Sequence, residues 1–409
     1  MTMATATEDT SLRHRPMGTP EFVGFCSLAM AINSLGTSIM LAALPQIADF
    51  FKMSDPNKQH LVLTVFFMGF AAGQVFVGPI ADRFGRRATL IGGIALYILA
   101  TAICVVANSF EMLIAARLVQ GMASASPRIV TVSSVRDCYV GAPMARVMSL
   151  VMTVLFIAPV AAPTIGHFIL MASHWQALFV VLLVQGLIVL VWTYIRFPET
   201  QLAEQRRPIR LGPIAEGCRA FLSNRQSAFV TLAAGLSSGC LLGFLVASPQ
   251  VIGQSYGLGH NFTFAFSAVA VTMGLAAYYN SRLVAKLGML RIARGGLAIC
   301  AGVAVLACAL QLAGALNFSL FMLTFFILNS LLLMNSANFT SMAMAPHGAI
   351  AGTASSIYGA GTTLISALIA SGISQAFDGS ATPLMIGSAA TCVGACLLIE
   401  ISHKGAPPA

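Results

Sequence analysis

A chain of 409 residues with 57% hydrophobic and 9% charged side chains and a mean hydropathy of +0.85 has too little charge to clothe a water-exposed surface. Lipid must cover it. The formal net charge of +9 would suit nucleic acid or an acidic partner if the basic residues formed one patch, but they recur at intervals between apolar runs, which excludes that class and reads as membrane topology.

Taken in chain order, residues 1–19 mix Glu8 and Asp9 with Arg13 and Arg15, and the first apolar run is too long for a signal-peptide core, so no cleavable leader is expected and the first span is retained. A span needs about 20 apolar residues. Candidates lie near 20–44, 60–80, 88–107, 110–134, 146–171 and 176–196, and again near 227–250, 262–284, 289–313, 316–340, 349–373 and 381–402. The pattern predicts an all-α integral membrane protein of twelve transmembrane helices in two pseudo-symmetric six-helix bundles. Its expected parts are a tail at 1–19, a first bundle at 20–196, a linker at 197–225, a second bundle at 226–402 and a tail at 403–409.

With both termini placed in the cytoplasm, the tails and even-numbered connections hold all of the 22 basic residues except Lys52, Lys58, Arg117 and Arg128. The positive-inside rule supports that orientation, and a shift by one helix destroys the asymmetry. Cysteines such as Cys26, Cys104, Cys300, Cys308, Cys392 and Cys396 sit inside apolar runs without the paired spacing of a zinc or disulfide framework, and read as small packing residues. The linker carries several arginines with Pro208 and Pro213, and Ile214 to Leu222 is expected as an amphipathic helix on the anionic inner leaflet or, alternatively, as a protein-docking site.

The segment Ala81 to Arg86 after the second span recurs in weaker form as Val284 to Met289 after the eighth. Two parallel six-span halves suit a machine that rocks around a mid-membrane site. Gly78-Pro79-Ile80-Ala81-Asp82-Arg83-Phe84-Gly85-Arg86-Arg87 resembles the loop signature of the major facilitator superfamily. On physical grounds Gly78 permits close helix packing, Asp82 can face the positive end of a neighbouring helix, and Arg83, Arg86 and Arg87 can hold the cytoplasmic ends of the two halves together.

Further resemblances narrow the group. Arg117-Leu118-Val119-Gln120-Gly121, Arg136-Asp137-Cys138-Tyr139 and the proline-rich Ala158 to Gly166 resemble the drug/proton antiporter branch. Pro159 and Pro163 must disturb the helix ladder, and in that branch the segment, with Gly166, implies a bend that closes a leak path; a kink that merely suits packing is the alternative. Ala247-Ser248-Pro249, Asn280-Ser281-Arg282-Leu283, Ala345-Pro346-His347-Gly348, Trp175 to Phe179 and Pro198-Glu199-Thr200 look like the Bcr/CflA group of bacterial multidrug efflux proteins. That resemblance implies a bacterial inner-membrane protein exporting neutral or amphiphilic antibiotics against a proton gradient.

One departure bears on mechanism. The group commonly has an aspartate in span one, where this chain has Ser38. A protonatable carboxylate inside the membrane links proton and substrate in such exporters, and the substitutes offered here are His167, which follows Gly166 and is of a type that changes charge between about pH 5 and 8, and Glu21 near a cytoplasmic end. A packing role for His167 remains the competing reading. Arg117 and Arg128 are eleven residues apart, which on a helix brings them within about 20° of one another and roughly 16 Å apart along the axis. Both can face one cavity, or each can pair with backbone carbonyls or snorkel.

By the resemblance, spans one, four, seven and ten line the cavity. Asn33, Ser34, Arg117, Gln120, Arg128, Ser237, Ser238, Asn329, Asn335 and Asn338 are expected to hydrogen-bond a solute, or to act as interhelical glue, with Phe244 and Met334 as adaptable apolar surface. A net positive cavity favours neutral or anionic solutes. No metal, cofactor, nucleic acid or convergent catalytic constellation is expected; the partners are a small-molecule substrate and the bilayer, with the monomer as working unit and the proton gradient as energy source. Two other functions compete: an organic-anion exporter, exchanger or facilitator without proton coupling, and a non-transporting sensor or scaffold.

Overall fold

Apolar runs of this length leave the backbone one way to satisfy its polar groups in lipid, the α-helix. The computed structural model describes residues 17–202, 204, 206, 211–258, 269, 272, 276, 279, 280, 282–284 and 286–403, and among these no strand occurs. The long helices are α1 (Thr19–Ser38), α2 (Leu44–Phe50), α3 (Leu61–Phe84), α4 (Arg86–Val105), α5 (Phe110–Cys138), α6 (Gly141–Ala172), α7 (Gln176–Arg196), α8 (Leu211–Ser223), α9 (Arg225–Gln250), α10 (Met289–Leu312), α11 (Phe318–Met344), α12 (Ala351–Gln375) and α13 (Thr382–His403). Among the described residues nine helical stretches are long and apolar enough to cross a membrane. The charged α5, the long α6 and the partly described segment 262–284 complete the twelve-helix, two-bundle architecture.

Polar residues at the helix starts fix several of these boundaries. Ser109 accepts the Met112 N–H at the start of α5, Asn224 that of Ser227 in α9, and Asn317 that of Leu320 in α11, each satisfying a donor the helix cannot. The sharp turn from α3 to α4 is made at Gly85, with φ of +94°, a backbone conformation that costs glycine least.

Helix contact inside lipid depends on close backbone approach, and each bundle obtains it differently. In the first, a Cβ on Gly69 would run into the Leu118 carbonyl, one on Gly73 into that of Met122, and one on Gly121 into that of Phe66, so α3 and α5 touch backbone to backbone. In the second, Gly235, Gly239 and Gly243 of α9 receive Ile365, Ile369 and Ile373 of α12, an added Cβ lying 2.8 Å from each isoleucine side chain. The apolar clusters follow the same division, except that Val246 and Ala370 of the second bundle pack with Ile39, Met40 and Leu41 of the first.

Three details refine the expected elements. The first span runs from Thr19 to Ala42, its end tightening over Ile39–Ala42, and α2 starts anew with Pro45 in its first turn, where proline's missing N–H costs nothing. α6 runs without a break through Pro159 and Pro163. α8 forms where the amphipathic helix was expected, but its buried Phe221 belongs to the core of the second bundle and Gly217 lies against Thr353 of α12. Leu222 of the same helix is exposed.

Because Gly69 and Gly121 face backbone rather than flexible side chains, Gly69→Val and Gly121→Val are expected to lower stability by about 1–3 kcal/mol or more, whereas Gly92→Ala, with open space around it, leaves it unchanged. Thermal unfolding of the detergent-solubilised protein measures the difference.

Candidate functional site

The most deeply placed charge is Arg117, fully buried in α5. Its Nε donates to the Val62 carbonyl at 3.0 Å, Nη1 to Gln120 Oε1 at 2.7 Å and Nη2 to the Gly36 carbonyl at 3.0 Å. The guanidinium lies 4.3 Å from the Phe66 ring centroid and 5.8 Å from that of Phe179. Gln120 passes the connection on, its Nε2 donating to Thr101 Oγ1 at 2.7 Å. One side chain therefore joins α1, α3, α4 and α5, and a buried guanidinium is tolerable only with such partners.

Helical phase allows Arg117 and Arg128 to face one cavity, with pairing to backbone carbonyls as an alternative, and Arg117 takes that alternative. Arg128 is exposed and sits 5.5 Å from the Phe70 ring centroid, while Arg117 reaches no solvent. Phase fixes a direction around a helix, and what stands opposite differs at the two depths.

The Gly78–Arg87 segment builds a second charged cluster, at the molecular end where α1 begins and α13 ends, the terminal end of the described residues. Arg86 donates through Nη1 to Asp82 Oδ1 at 2.7 Å and through Nε to Asp137 Oδ2 at 3.1 Å. Glu199, just past α7, accepts the Arg86 backbone N–H at 2.7 Å and that of Gln201 at 3.1 Å, placing a carboxylate at the positive start of α4. Thr200 Oγ1 donates to Ser134 Oγ at 3.2 Å, and Gln201 Nε2 to the Asp82 carbonyl at 3.2 Å. A Cβ on Gly85 would occupy the place of the Glu199 carboxylate.

Two expectations change here. The residue at the helix start is Glu199 rather than Asp82, and the arginines tie one bundle's own helices rather than the two bundles: Arg87 donates to the Tyr194 carbonyl at 2.7 Å, and Arg83 lies over Phe84. In the sequence Glu199 stands out only within the Pro198-Glu199-Thr200 segment. Its partners are backbone N–H groups, which leave no side-chain pattern to read.

Polar ties between bundles lie elsewhere. At mid-helix, Gln74 Nε2 donates to Thr363 Oγ1 at 3.0 Å, and Gly78 stands 3.5 Å, measured from an added Cβ, from Ser356 Oγ. At the end away from the termini, His60 Nε2 lies 2.7 Å from Gln250 Oε1, and Asn57 Nδ2 donates to the carbonyls of Gln375 at 3.2 Å and Phe377 at 2.8 Å. That end is closed. Toward the terminal end, Arg128 of α5 and Ala337, Thr340 and Ser341 of α11 are exposed.

The expected wall residues divide accordingly. Asn33 donates to Ser124 Oγ at 3.2 Å, Asn338 to Asn280 Oδ1 at 3.3 Å, and Phe244 is buried with its ring 4.3 Å from that of Phe325. Asn335 is fully buried and turned toward Gly296 of α10. The first three are engaged with neighbouring helices, whereas Asn335 Nδ2 and Oδ1 have no partner. Ser237 Oγ and Asn329 Nδ2 are buried without partners; Ser34 is buried, while Ser238 and Met334 are half-buried.

The proton-coupling candidates are also placed. Glu21 is held by both guanidinium nitrogens of Arg196 at 2.9 Å, with Trp192 Nε1 at 3.4 Å. His167 lies exposed on α6 near the exposed Ile165, Phe168 and Met171, while its neighbour Gly166 turns inward, an added Cβ meeting the Ile39 carbonyl at 2.9 Å. Pro163 is buried, and the side chain of Pro159 lies outside the described residues. No cluster of metal-ligating side chains occurs among the described residues.

The model of the Major Facilitator Superfamily matches residues 26–371. The chain belongs to that superfamily. A bicyclomycin resistance protein homolog of Haemophilus influenzae is 30% identical over 383 residues, covering 93% of this chain and 94% of the relative. Multidrug resistance protein MdtL of Shigella dysenteriae is 30% identical over 233 residues, 57% of this chain and 58% of that one. Among solved structures, a bacterial homolog of the human lysosomal transporter Spinster, inward-facing and occupied, gives a TM-score of 0.71 at 14% identity over 96% of this chain and 98% of that one. The human organic anion transporter MFSD10 gives 0.65 at 14% identity over 94% and 100%. The superfamily fold thus accounts for both bundles, and these relatives are transporters and resistance proteins rather than enzymes.

Within that fold the two intramembrane arginines should behave oppositely. Arg117→Lys leaves acceptors on separate helices unserved by a single ammonium, so a loss of about 2 kcal/mol or more is expected. Arg128→Gln, at an exposed position, should stay within about 0.5 kcal/mol of the parent. Unfolding midpoints of the two variants check this directly.

Proposed function

We propose that this multi-pass membrane protein is a secondary active transporter that exports small drugs or metabolites by alternating access, coupled to proton movement in the opposite direction. The observation that carries the reading is the asymmetry between its two ends: His60, Gln250 and Asn57 tie the bundles at one end, while polar and charged side chains of α5 and α11 are exposed toward the other. Two rigid bundles meeting at alternate ends are what alternating access requires. The resistance names of the two sequence relatives support a drug-like cargo.

The solute bias follows from charge. Arg117 is fully buried and bonded within its own bundle, so Arg128, exposed beside Phe70, supplies the positive field and the aromatic surface toward the open end. Neutral and anionic solutes suit such a wall better than lipophilic cations. With basic residues concentrated at the terminal end, the protein sits in a bacterial inner membrane with both termini in the cytoplasm, acting as a monomer without a cofactor. Ser38, buried where α1 gives way to the tight turn, offers no carboxylate, and this favours one second reading: an organic-anion exporter or facilitator that moves its solute without protons.

Purified protein in liposomes under an imposed pH gradient separates the two. Addition of a neutral or anionic solute should dissipate the gradient, and Arg128→Gln should reduce anion transport by about five- to tenfold, the worth of one charge-assisted contact, with less effect on neutral compounds. Solute movement without proton flux selects the facilitator. Transport of ethidium-like cations alone removes the proposed bias.

A further inference from the structure

The closed end holds a titratable side chain that the functional reading does not use. His60 ends the short turn Pro56–His60 that leads into α3 of the first bundle, and Gln250 is the last residue of α9 in the second. Both are buried, at 1% and 8% exposure. Imidazole Nε2 and amide Oε1 lie 2.7 Å apart, so a short hydrogen bond crosses between bundles at the point where they must part for this end to open.

The ring's other nitrogen gives the contact its chemistry. An amide oxygen only accepts, so Nε2 carries the proton of the bond and the neutral ring leaves Nδ1 as an acceptor. Nδ1 is buried and has no partner. A second proton there would create a buried positive charge with an unserved donor, an arrangement that proteins avoid. Opening this end releases both nitrogens to water, where the charged ring is fully solvated.

We infer that His60 and Gln250 form a pH-sensitive latch between the two bundles: the neutral imidazole holds this end closed, and a proton from the aqueous phase on the same side favours its opening. The inference rests on the alternating-access reading and adds to it a titrating gate. The proton enters from and returns to one aqueous side, so the latch carries no net proton across the membrane; it makes acid outside favour the outward-open state. The Asn57 bonds and the apolar seam of Val246 and Ala370 against Ile39, Met40 and Leu41 do not titrate and set the resting bias.

The ionisable groups on elements packed near His60 are few. Asp49 and Lys52 lie at the end of α2, Asp55 and Lys58 on the turn of His60 itself, and Asp378 beyond α12; all are exposed. Asp378 accepts the Ser380 hydroxyl and N–H, which hold its carboxylate below the usual range and keep it ionised through the range where imidazole titrates. Arg117 donates from each of its three guanidinium nitrogens within the first bundle and reaches the Val62 carbonyl.

Single-molecule FRET in nanodiscs tests the latch, with dyes on non-natural residues at Asp49 and Gln254, both exposed and on opposite bundles. The open-to-closed ratio of the parent should rise by about tenfold per pH unit as pH falls below about 6. His60→Gln keeps an amide-to-amide bond and should remain closed with a flat profile; Gln250→Leu should open at every pH. A flat parental profile between about pH 5 and 8, or the parental slope retained in His60→Gln, overturns the inference. Solute-driven proton flux, measured on the same preparations, keeps the two ideas apart: lost flux with an intact pH response removes antiport and leaves the latch, and the reverse removes the latch alone.

Discussion

The first bundle depends on how Arg117 is buried. A guanidinium carries five donors and never loses its charge in a protein, so placing it inside a membrane obliges the surrounding helices to supply acceptors. They supply backbone carbonyls: Gly36 from α1 and Val62 from α3, with Gln120 from its own helix. Such carbonyls come within reach because α3 and α5 touch at Gly69, Gly73 and Gly121. Close packing and charge burial are therefore one device. Lengthening any of those glycines moves the acceptors, and removing the charge leaves the carbonyls unserved.

The charged cluster around Arg86 extends that rigidity to the end of the bundle. Glu199, Thr200 and Gln201 belong to it, and they are also the start of the connection to the second bundle. The other end of the connection, α8, buries Phe221 in the second bundle and sets its ring 5.0 Å from that of His347, whose Nε2 lies 2.9 Å from Ser227 Oγ. The linker is thus fastened at both of its ends. The Asp82–Arg86–Asp137 ion pairs lie wholly within the first bundle.

Much of the fold was legible because lipid imposes simple rules: span length, charge asymmetry and the division into halves follow from hydropathy and the spacing of arginines. Details decided by partners were not. Helical phase put Arg117 and Arg128 on one face, yet could not say that Gly36 and Val62 close around the first while the Phe70 ring stands beside the second. Polar residues in spans were read as a cavity wall, but Asn33 finds Ser124 and Asn338 finds Asn280, because in lipid a polar side chain bonds its neighbour as readily as a solute.

The two bundles are built on unequal terms. Hydrogen bonds and charges lock the first, whereas the glycine ladder of α9 against the isoleucines of α12 holds the second through shape. Ser237 on α9 and Asn329 on α11 keep buried polar atoms without partners, each an expense of about 1–3 kcal/mol where water is excluded. That expense falls wherever water reaches them. The first bundle carries the same kind of expense at Ser27 Oγ, Thr131 Oγ1 and His60 Nδ1, so the difference between the bundles lies in how their helices touch and not in how fully their polar groups are served.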